Sequence, residues 1–451
     1  MRKFYSRILA VCMAGTMALT PFTPVGTLIG NTITIEAKAA EAVDTSWYDN
    51  RTEGQTEFTI STEAQLRGLA QIVNSSDAAA GGFVMPFTGC TVKLANDIVM
   101  DADTPFAPIG VSRGLGFAGV FDGQGHTIKN LHSVVFDSIV GSATVRDLKI
   151  KNSNIGSDDY GKGFLINTID FAYDGLKGKI LIENVDVEGK ADVSKYQKGE
   201  SGSFAGICSY VNIHKETQSV KINNCSVNIK MSTAGNYAIY YGGIIGGTSD
   251  NSKSTLEISN CVSLGAIKSS DTDSMVGGIA GKADYVNTTN CYADMELEGN
   301  YVGGLVGYAE NVMIENCMSK SYVNGSCVGG LVGCGDEVSQ QYIISSVSLE
   351  EKIRGTQFAG TVIGKSYAMI TIKNVFTYSK LYDELNRTYL TDKQGTALNS
   401  MQLTEQSAFP GLDFTDTFAC VPGVNGGKIL LKKLGKYFVT DSPTIEVKNV
   451  N

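Results

Sequence analysis

The chain has 451 residues, with 51 glycines and only 8 prolines, which is long enough for a large core or for an elongated stack of repeats. Its 46 acidic residues outnumber the 37 basic ones, so the net charge is −9 and no basic stripe offers itself to a phosphate backbone. This balance excludes nucleic acid as an expected partner, and the ordinary apolar content excludes a disordered chain.

The first residues have the order of a secretory signal. A basic start is followed by an apolar run over residues 8–19 and by the small-residue site Ala37-Lys38-Ala39. We therefore predict a signal peptide over residues 1–39 and an extracellular or cell-surface location for the rest. No later segment approaches the ~20 apolar residues of a membrane span, so no span is expected after signal removal.

A short helix is predicted ahead of the repeats. After a linker over residues 40–57, the stretch Phe58–Ser61 has the pattern of a strand, and apolar residues then keep helical spacing through EAQLRGLAQIVN. Thr62 with Gln65 makes a capping-box start. We expect this helix to plug one end of the fold, within an N-terminal cap and first coil over residues 58–127.

From residue 128 onward one four-residue phrase recurs: an apolar residue or Thr, any residue, a small polar residue, then an apolar residue or Cys. Nine copies make it a structural period. The side-chain alternation slips by one residue at the polar position, which predicts two strands meeting at a bend where Asn takes a left-handed backbone conformation. The bend side chains, expected to hydrogen-bond from coil to coil, are Asn130, Asp147, Asn184, Asn224, Asn260, Asn290, Asn316 and Asn374.

A second phrase, VGGLVG at Val302–Gly307, returns 26 residues later at Val328–Gly333. Its spacing lacks the GK[ST] of a phosphate loop, and glycines also serve where coils approach closely. We interpret the phrase as a third strand of each coil. Three short strands per coil predict an all-β fold, a single-stranded right-handed parallel β-helix over residues 128–380, with a small C-terminal cap and tail over residues 381–451.

These phrases resemble a known group. The VGGLVG phrase, an I-x-N-C strand and the second VGGLVG are similar to the GLUG-motif repeats of bacterial surface proteins. The FAGVFDGQGHTIKNL stretch at Phe117–Leu131 resembles the start of such a β-helix, and the resemblance covers about residues 58–430. It implies an adhesin-like right-handed parallel β-helix, and the family carries no defined chemistry. Such repeats also occur in N-terminal regions of secreted peptidases, including IgA-cleaving ones.

Six of the ten cysteines fall into two groups. Stacked side chains that point the same way are poorly placed for disulfides, and buried Cys packs as a small hydrophobe, so a core thiol ladder is predicted. Its members are Cys225, Cys261, Cys291 and Cys317. Cys327 and Cys334, close together in GSCVGGLVGCGD, are the best candidates for a local disulfide, which the spacing leaves open. Without CxxC spacing and with dispersed histidines, no metal site and no cofactor are predicted.

A polysaccharide enzyme on a β-helix needs carboxylates that converge from adjacent coils. The predicted outward acids, Asp186 with Glu188 and Asp294 with Glu296, form no cluster that persists across neighbouring coils, so no catalytic residue is assigned. Tyrosines predicted to face outward suit stacking on sugars. They are Tyr237, Tyr240, Tyr241, Tyr292, Tyr308 and Tyr322.

The favoured hypothesis is a secreted or cell-surface protein with an adhesin-like binding or scaffold role and no catalysis. Its expected partner is a glycan or a host or bacterial surface protein. Two alternatives stay open: a polysaccharide-active lyase or glycosidase that uses acids near Asp158 or Asp186, and a non-catalytic module related to secreted peptidases. Insertion loops of the early coils are the expected binding surface.

Overall fold

The computed structural model describes residues 43–75, 87–110, 116–156, 163–170, 178–193, 202–213, 218–233, 240–249, 256–336, 339–350, 352–366, 369–378 and 395–438. Over these residues the chain winds as a parallel β-helix, in which each strand pairs in parallel with its counterpart one coil on. The predicted all-β solenoid is confirmed. A full coil of the described chain has four strand positions rather than three, called A, B, C and D in chain order.

Position A alternates inward and outward side chains. In its strand Gln218–Asn223, Val220 and Ile222 are at most 1% exposed, whereas Lys221 faces solvent. Branched apolar residues suit such a half-buried pleated surface. The strands of position A are Glu57–Ile60, Thr91–Leu94, Val120–Asp122, the first parts of Thr144–Ile155 and Gly178–Asp192, Gln218–Asn223, Leu256–Ser259, Val286–Thr289, Val312–Glu315, Gln340–Ile344 and Met369–Lys373.

Position B follows the bend at which the alternation changes parity. Its pairing continues from Phe376–Tyr378 to Thr396–Leu398, so the β-helix extends past the predicted end at residue 380. The strands of position B are Ile98–Val99, Thr127–Lys129, the last parts of Thr144–Ile155 and Gly178–Asp192, Ser226–Thr233, Val262–Ser269, the first part of Tyr292–Gly303, Met318–Ser319, the first part of Tyr322–Gly329, Val347–Ser348, the first part of Ile353–Gly360, Phe376–Tyr378 and Thr396–Leu398.

Positions C and D close the coil, and D forms a separate eight-stranded sheet in the described chain. The strands of position C are Ser203–Ala205, Tyr240–Gly242, Met275–Gly277 and the last parts of Tyr292–Gly303, Tyr322–Gly329 and Ile353–Gly360. Those of position D are Phe136–Ile139, Ile166–Asp170, Cys208–Asn212, Ile245–Thr248, Ala280–Ala283, Val306–Ala309, Val332–Gly335 and Ile363–Ser366.

The VGGLVG phrase lies at the corner between positions C and D. In its first copy a strand ends at Gly303, Gly304 and Leu305 form the turn, and the next strand begins at Val306. The prediction of one strand for this phrase was therefore wrong. An apolar, glycine-rich hexapeptide has the composition of a short buried strand, and a corner can have the same composition. The contacts of its glycines in the structure show that it is a corner.

The segment predicted as a cap and first coil contains strands of more than one coil. Glu57–Ile60 pairs in parallel with Thr91–Leu94, which pairs with Val120–Asp122, so the solenoid starts well before residue 128. These early strands lack the I-x-N-C phrase that marks the later ones, and the repeat pattern therefore did not reveal them.

The segment assigned to a linker also belongs to the fold. Helix α1, Ser46–Asp49, carries Trp47, whose ring meets Phe58 edge-on with centroids 5.7 Å apart. The same indole stacks on Phe87 at 6.2 Å. Aromatic contacts of this kind stabilise a core beyond the area they bury. Helix α1 is thus packed on the first coil through Trp47, and the prediction of a linker was wrong for this helix, whereas residues 49–57 are exposed.

Helix α2, Glu63–Ser75, turns its apolar side into the core. The backbone N–H of Gln65 donates to Thr62 Oγ1 at 3.2 Å, and Gln65 Oε1 accepts from the backbone N–H of Ser61 at 2.8 Å. The capping contacts thus involve the residue before Thr62 as well. The core residues of helix α2 are Leu66, Leu69, Ala70 and Val73.

The C-terminal segment folds back along the outside of position B. It contains the 3-10 helices Gln402–Thr404, Gln406–Ala408, Asn425–Gly427 and Lys432–Tyr437, and the antiparallel strands Phe418–Cys420 and Ile429–Leu431. Its apolar residues form one cluster with outward side chains of successive coils. The covered outward residues are Val262, Tyr292, Met318, Val347 and Phe376.

Tyr292 shows what this cover does. The alternation pattern placed it outward, and it does point outward, yet it is only 2% exposed because its ring packs 4.5 Å from that of Phe438. The prediction of Tyr292 as a solvent-facing tyrosine was therefore wrong. Burial by a segment so distant in the chain leaves no local signal.

Candidate binding cleft

The corner between positions C and D is so tight that only glycine fits. A Cβ on Gly303 would lie 1.9 Å from the carbonyl oxygen of Val306, and one on Gly307 would lie 2.5 Å from the backbone nitrogen of Val276 in the preceding coil. A side chain at either place would push backbone apart. The two strands that meet at the corner therefore run with their backbones almost in contact.

Side chains that flank the glycine phrase face one another across this corner. One comes two residues before the first glycine, and the other comes directly after the last. Successive coils hold these residues in register, which produces two facing columns. The column on position C is Tyr240, Met275, Tyr301, Cys327 and Phe358, and that on position D includes Lys282, Tyr308, Cys334 and Lys365.

The facing columns border a cleft of about 550 Å³, which we call the glycine-corner cleft. Polar side chains line its rim beside the aromatic rings and thiols. This mixture is typical of small-molecule sites, in which a few polar groups orient a ligand against apolar walls. The lining residues are Thr272, Asn300, Tyr301, Tyr308, Ser326, Cys327, Cys334, Asp336, Gln357, Phe358 and Lys365.

An aromatic pair stands in the cleft. The rings of Tyr301 and Tyr308 meet edge to face, with centroids 5.8 Å apart and planes at 75°. The hydroxyl of Tyr308 donates to Asp336 Oδ1 at 3.4 Å. Burial raises the pKa of both phenols, so each stays a neutral hydroxyl at physiological pH. Each residue offers an apolar ring with a polar tip.

One coil further on, two free thiols take the places of the tyrosines. Cys327 and Cys334 hydrogen-bond to each other, and the Cys327 Sγ also donates to the carbonyl oxygen of Gly333 at 3.3 Å. The hydrogen bond from Cys327 and the nearby Lys365 ammonium lower the pKa of Cys334. The same hydrogen bond, together with burial, raises the pKa of Cys327. The thiolate of the pair therefore forms on Cys334.

Two lysines bring positive charge to the wall on position D. Lys282 Nζ lies 3.1 Å from Glu310 Oε1 and 5.6 Å from the ring centroid of Tyr240. Lys365 Nζ lies 4.3 Å from the ring centroid of Phe358. Ammonium groups over ring faces are held by the ring quadrupole. The cleft thus presents aromatic, thiol and cationic groups in turn along the helix axis.

The predicted tyrosines divide among different places. Tyr308 lines the cleft, and Tyr240 continues its column. Tyr322 lies on a separate charged surface, and Tyr237 lies outside the described residues. The prediction of Tyr241 as an outward residue was wrong: it is fully buried, and its hydroxyl donates to Asp271 Oδ2 at 2.8 Å. Since neighbours on a strand face opposite ways, only Tyr240 of the pair points out.

The bend residues have a common backbone conformation. The eight predicted positions have φ between 52° and 59°. Asn184 Nδ2 donates to Asp147 Oδ1 at 2.8 Å, and Asn224 Nδ2 donates to Asn184 Oδ1 at 2.7 Å. At the next coil Asn260 Nδ2 donates to Asn223 Oδ1 instead, at 2.8 Å. The ladder therefore runs straight over three coils and then shifts by one residue.

Asn130 belongs to a different bend from the other ladder residues. Asn152 Nδ2 donates to Asn130 Oδ1 at 2.6 Å, and both residues have positive φ. The neighbour of Asp147 in the preceding coil is instead the turn at Gly125, whose N–H donates to the Asp147 carbonyl oxygen at 2.7 Å. Placing Asn130 and Asp147 on one ladder was therefore wrong, because the phrase occurs at two corners of the early coils.

The core cysteines differ from the pair in the cleft. Cys225, Cys261, Cys291 and Cys317 are free and at most 1% exposed. Thiols in this ladder donate to the carbonyl two residues back, as from Cys261 Sγ to Ser259 O at 3.2 Å. Burial raises the pKa of Cys225, Cys261 and Cys291 well above the ordinary value. Such thiols resist ionisation and act as packing groups.

A second, charged surface lies on position B. Its hollow of about 680 Å³ is lined in part by Asp294, Glu296 and Glu298, which alternate along one strand. Lys268 Nζ lies 2.5 Å from Glu296 Oε1 and 3.6 Å from Glu298 Oε1. One cation thus engages two of the carboxylates, and both acids come from a single coil. A general acid and a base need different environments, which this arrangement does not provide.

Sequence reasoning missed most of the cleft. Tyr301, Phe358 and Lys365 were not singled out, although each directly flanks a glycine phrase. That flanking position was the available signal. The insertion loops predicted as the binding surface fall largely on residues 157–162, 194–201, 214–217, 234–239 and 250–255. These residues, Asp158 among them, lie outside the described part of the chain.

Comparison with known proteins confirms the resemblance. A family model described as the GLUG motif matches residues 298–321, the stretch that carries Tyr301, Tyr308 and the first VGGLVG corner. This protein is therefore a parallel β-helix that carries a GLUG motif. No curated protein sequence matches the chain. Among solved structures, a Bacteroides ovatus protein named a "putative immunoglobulin A1 protease" is similar, with 17% identity over 85% of this chain and 94% of that chain, and a TM-score of 0.44.

In the described part of the chain, no helix combines the length and apolarity that crossing a membrane requires. Within the same residues, no three His, Cys, Asp or Glu side chains gather in a group that suits a metal ion.

Proposed function

We propose that the protein is a secreted or cell-surface, adhesin-like binding protein without catalysis, and that it binds carbohydrate in the glycine-corner cleft. The observation that carries this proposal is the edge-to-face pair of Tyr301 and Tyr308 in a cleft with a polar rim. Export is supported by the order of the N-terminal sequence, a basic start, an apolar run and a small-residue site.

Carbohydrates present both apolar C–H faces and hydroxyl groups. The rings of Tyr301 and Tyr308 suit the first, and the amides of Asn300 and Gln357 suit the second because each both donates and accepts. A cleft of about 550 Å³ lies within the ordinary range for small-ligand sites. Because its walls repeat from coil to coil, the cleft suits an extended chain of sugars better than a compact ligand.

A polysaccharide-active enzyme is the alternative to be separated from a binding protein. Its best candidate acids are Glu296 and Glu298 on the charged surface, both engaged by Lys268. Asp186, the acid proposed for this role from the sequence, accepts a hydrogen bond from Ser226 Oγ at 2.5 Å. These contacts already engage the carboxylates in ion pairs and a hydrogen bond, which favours a binding protein over acid/base chemistry.

Retention of the purified chain on immobilised mucin, chitin, peptidoglycan and pectin tests the proposal. We expect retention on at least one polymer, lost in the double variant Tyr301→Ala/Tyr308→Ala. Tyr342→Ala is the matched control, because Tyr342 is 39% exposed on position A, away from the cleft. Failure of the wild-type chain to bind any of them would contradict the proposal, and so would reducing-sugar or unsaturated-uronate release from them.

A further inference from the structure

Two thiols face each other across the cleft. Cys327 on position C and Cys334 on position D occupy the places that Tyr301 and Tyr308 occupy one coil earlier. Those two rings meet with centroids 5.8 Å apart, and at the next coil Cys327 Sγ donates to the carbonyl oxygen of Gly333, the residue before Cys334, at 3.3 Å. The pair therefore comes from two different strands whose side chains converge.

We propose that Cys327 and Cys334 are a modification site, at which a low-molecular-weight disulfide of the oxidised-glutathione class converts the two thiols into a disulfide bond across the glycine-corner cleft. The bond joins positions C and D of one coil. Its formation does not depend on the proposed function, whereas its effect on ligand binding rests on that function.

The corner already brings the two sulfur atoms together. Six residues separate them in the chain, and the glycine turn holds their strands with backbones nearly in contact. Cys327 Sγ lies 3.3 Å from the carbonyl oxygen of Gly333, the residue next to Cys334. Disulfides need converging Cβ vectors on close backbones, and this corner supplies both without a change of fold.

The core ladder lacks this geometry. Its thiols stack at one strand position on successive coils, so the side chains run parallel rather than converge. They are also sealed inside the core, whereas Cys327 and Cys334, each 3% exposed, line the wall of the cleft. An oxidant that enters the cleft therefore meets only the pair.

The two thiols have different tendencies to ionise. The hydrogen bond from Cys327 favours the thiolate of Cys334, and the thiolate is the attacking species in thiol–disulfide exchange. Cys327 keeps its proton until the second step. The pair thus has an attacking and a resolving member.

The reaction balances with the disulfide as the oxidant. The thiolate of Cys334 attacks one sulfur of the donor, the donor S–S bond breaks, and the first donor thiolate leaves. The thiol of Cys327 then loses its proton and attacks Cys334 Sγ, which expels the second donor thiolate. Two protein thiols lose two electrons and two protons, and the donor is reduced to two thiols that take them up.

The bond would change the cleft between two pairs of facing side chains. Tyr301 with Tyr308 lies on one side of it, and Phe358 with Lys365 lies on the other. Joining the walls fixes their separation, so the cleft loses less conformational entropy when a ligand binds. We expect the oxidised protein to bind polymer roughly tenfold more tightly than the reduced one.

The test begins with the folded wild-type chain, treated with oxidised glutathione or with a reducing agent. Remaining thiols are alkylated after unfolding, and the peptides are mapped by mass. We expect an internal disulfide between Cys327 and Cys334 after oxidation, with the core cysteines alkylated in both samples. Free thiols at both positions after oxidation, or bonding to a core cysteine, would overturn the proposal.

Serine variants test the order of steps. Cys327→Ser should trap glutathione on Cys334 as a mixed disulfide, because the resolving thiol is gone. Cys334→Ser should leave Cys327 largely unmodified under the same treatment. Equal trapping by the two variants would contradict the assigned roles, and serine is close enough in size to cysteine to keep the corner.

Polymer retention separates this inference from the proposed function. Retention of oxidised wild-type chain is compared with that of the reduced chain and of the double variant Cys327→Ser/Cys334→Ser, which has no thiol at either position, under both conditions. A redox effect in wild type that is absent from the double variant supports the claim that the disulfide acts on the cleft. Disulfide formation with no polymer binding in either state contradicts the proposed function and leaves the thiol site standing. Equal retention of both states overturns the claim that the bond acts on the cleft.

Discussion

Two outward stripes of this β-helix are rich in apolar and aromatic side chains, but one is buried by another part of the chain and the other is partly exposed. On position B, the stripe that contains Val262, Tyr292 and Met318 is covered by the C-terminal segment, so these three residues are at most 2% exposed. At the corner of positions C and D, Tyr301 and Tyr308 remain partly exposed in a cleft.

The difference between the two stripes shows what covers the apolar outward side chains of this solenoid. Large apolar patches on a soluble protein need a cover, supplied either by the same chain or by another molecule. The C-terminal segment supplies it for position B through residues such as Phe418 and Phe438. At the C–D corner, polar residues such as Asn300 and Asp336 share the surface with the rings, which suits a ligand with hydroxyl groups.

The largest expected effect comes from uncovering the stripe on position B. Phe418 lies in the C-terminal segment, the cap over position B, and is fully buried in the cluster that this cap forms with the β-helix. Phe418→Ala should therefore lower the free energy of unfolding by about 3–5 kcal/mol. Denaturant titration followed by circular dichroism measures the change. Met401→Ala, at a cap residue 73% exposed, should leave the midpoint unchanged. Equal midpoints for Phe418→Ala and wild type would show that the cap does not stabilise the β-helix.

A buried carboxyl beneath the glycine corner gives the next largest effect. Glu350 is fully buried beside Gly304 and Gly330, and burial raises its pKa from 4.5 to about 8. The folded state therefore holds a proton that the unfolded chain has lost. Stability from this group is fully present below pH 4.5 and falls as pH rises toward 8, by roughly 3 kcal/mol at neutral pH.

The variant Glu350→Gln keeps the shape of this side chain and removes its titration. We expect it to be more stable than wild type at pH 7, with a flatter profile of unfolding free energy between pH 4.5 and 8. Denaturant titrations across that range measure both. Parallel profiles for the two proteins would show that Glu350 is ionised in the folded state.

The bend ladder gives a smaller effect that can be divided in two. Asn224→Ala places alanine at φ 52° and removes the amide that donates to Asn184, at a cost of about 2–3 kcal/mol. Asn224→Gly tolerates the backbone and loses only the hydrogen bond, about 1 kcal/mol. Denaturation midpoints rank the three proteins. If the glycine variant is as unstable as the alanine variant, backbone strain is not the reason for Asn at the bend.

The smallest stability effect is expected at the cleft. Because Tyr301 and Tyr308 are partly exposed, replacing both with alanine should lower the free energy of unfolding by only about 1–2 kcal/mol while abolishing polymer retention. Differential scanning calorimetry checks the first part. A loss as large as that of Phe418→Ala would show that these rings serve the core, as the covered stripe does.

The parts of the fold that follow from backbone demands were predictable from the sequence. Asn224 and Asn316 mark bends because few residues accept positive φ, and Gly303 marks a contact that excludes Cβ. Such demands act within a few residues of the chain and therefore leave a local pattern.

The parts that depend on distant segments were not predictable. The cover over Tyr292 comes from Phe438, and no local feature distinguishes Tyr292 from an exposed tyrosine. The cleft arises because VGGLVG is a corner, and the hexapeptide has the same composition as a strand. In the structure, Gly307 lies close to Val276 of the preceding coil, and the rings of Tyr301 and Tyr308 meet across the corner.

Hydroxyl-radical footprinting of the wild-type chain with the polymer that retains it best tests the central claim most directly. Mass mapping of oxidised tyrosines, with and without that polymer, shows which rings the ligand covers. We expect protection of Tyr301 and Tyr308, with Tyr322 and the exposed Tyr342 oxidised equally in both samples. Protection of Tyr322 or Tyr342, with Tyr301 and Tyr308 unchanged, would contradict it and place binding on another face.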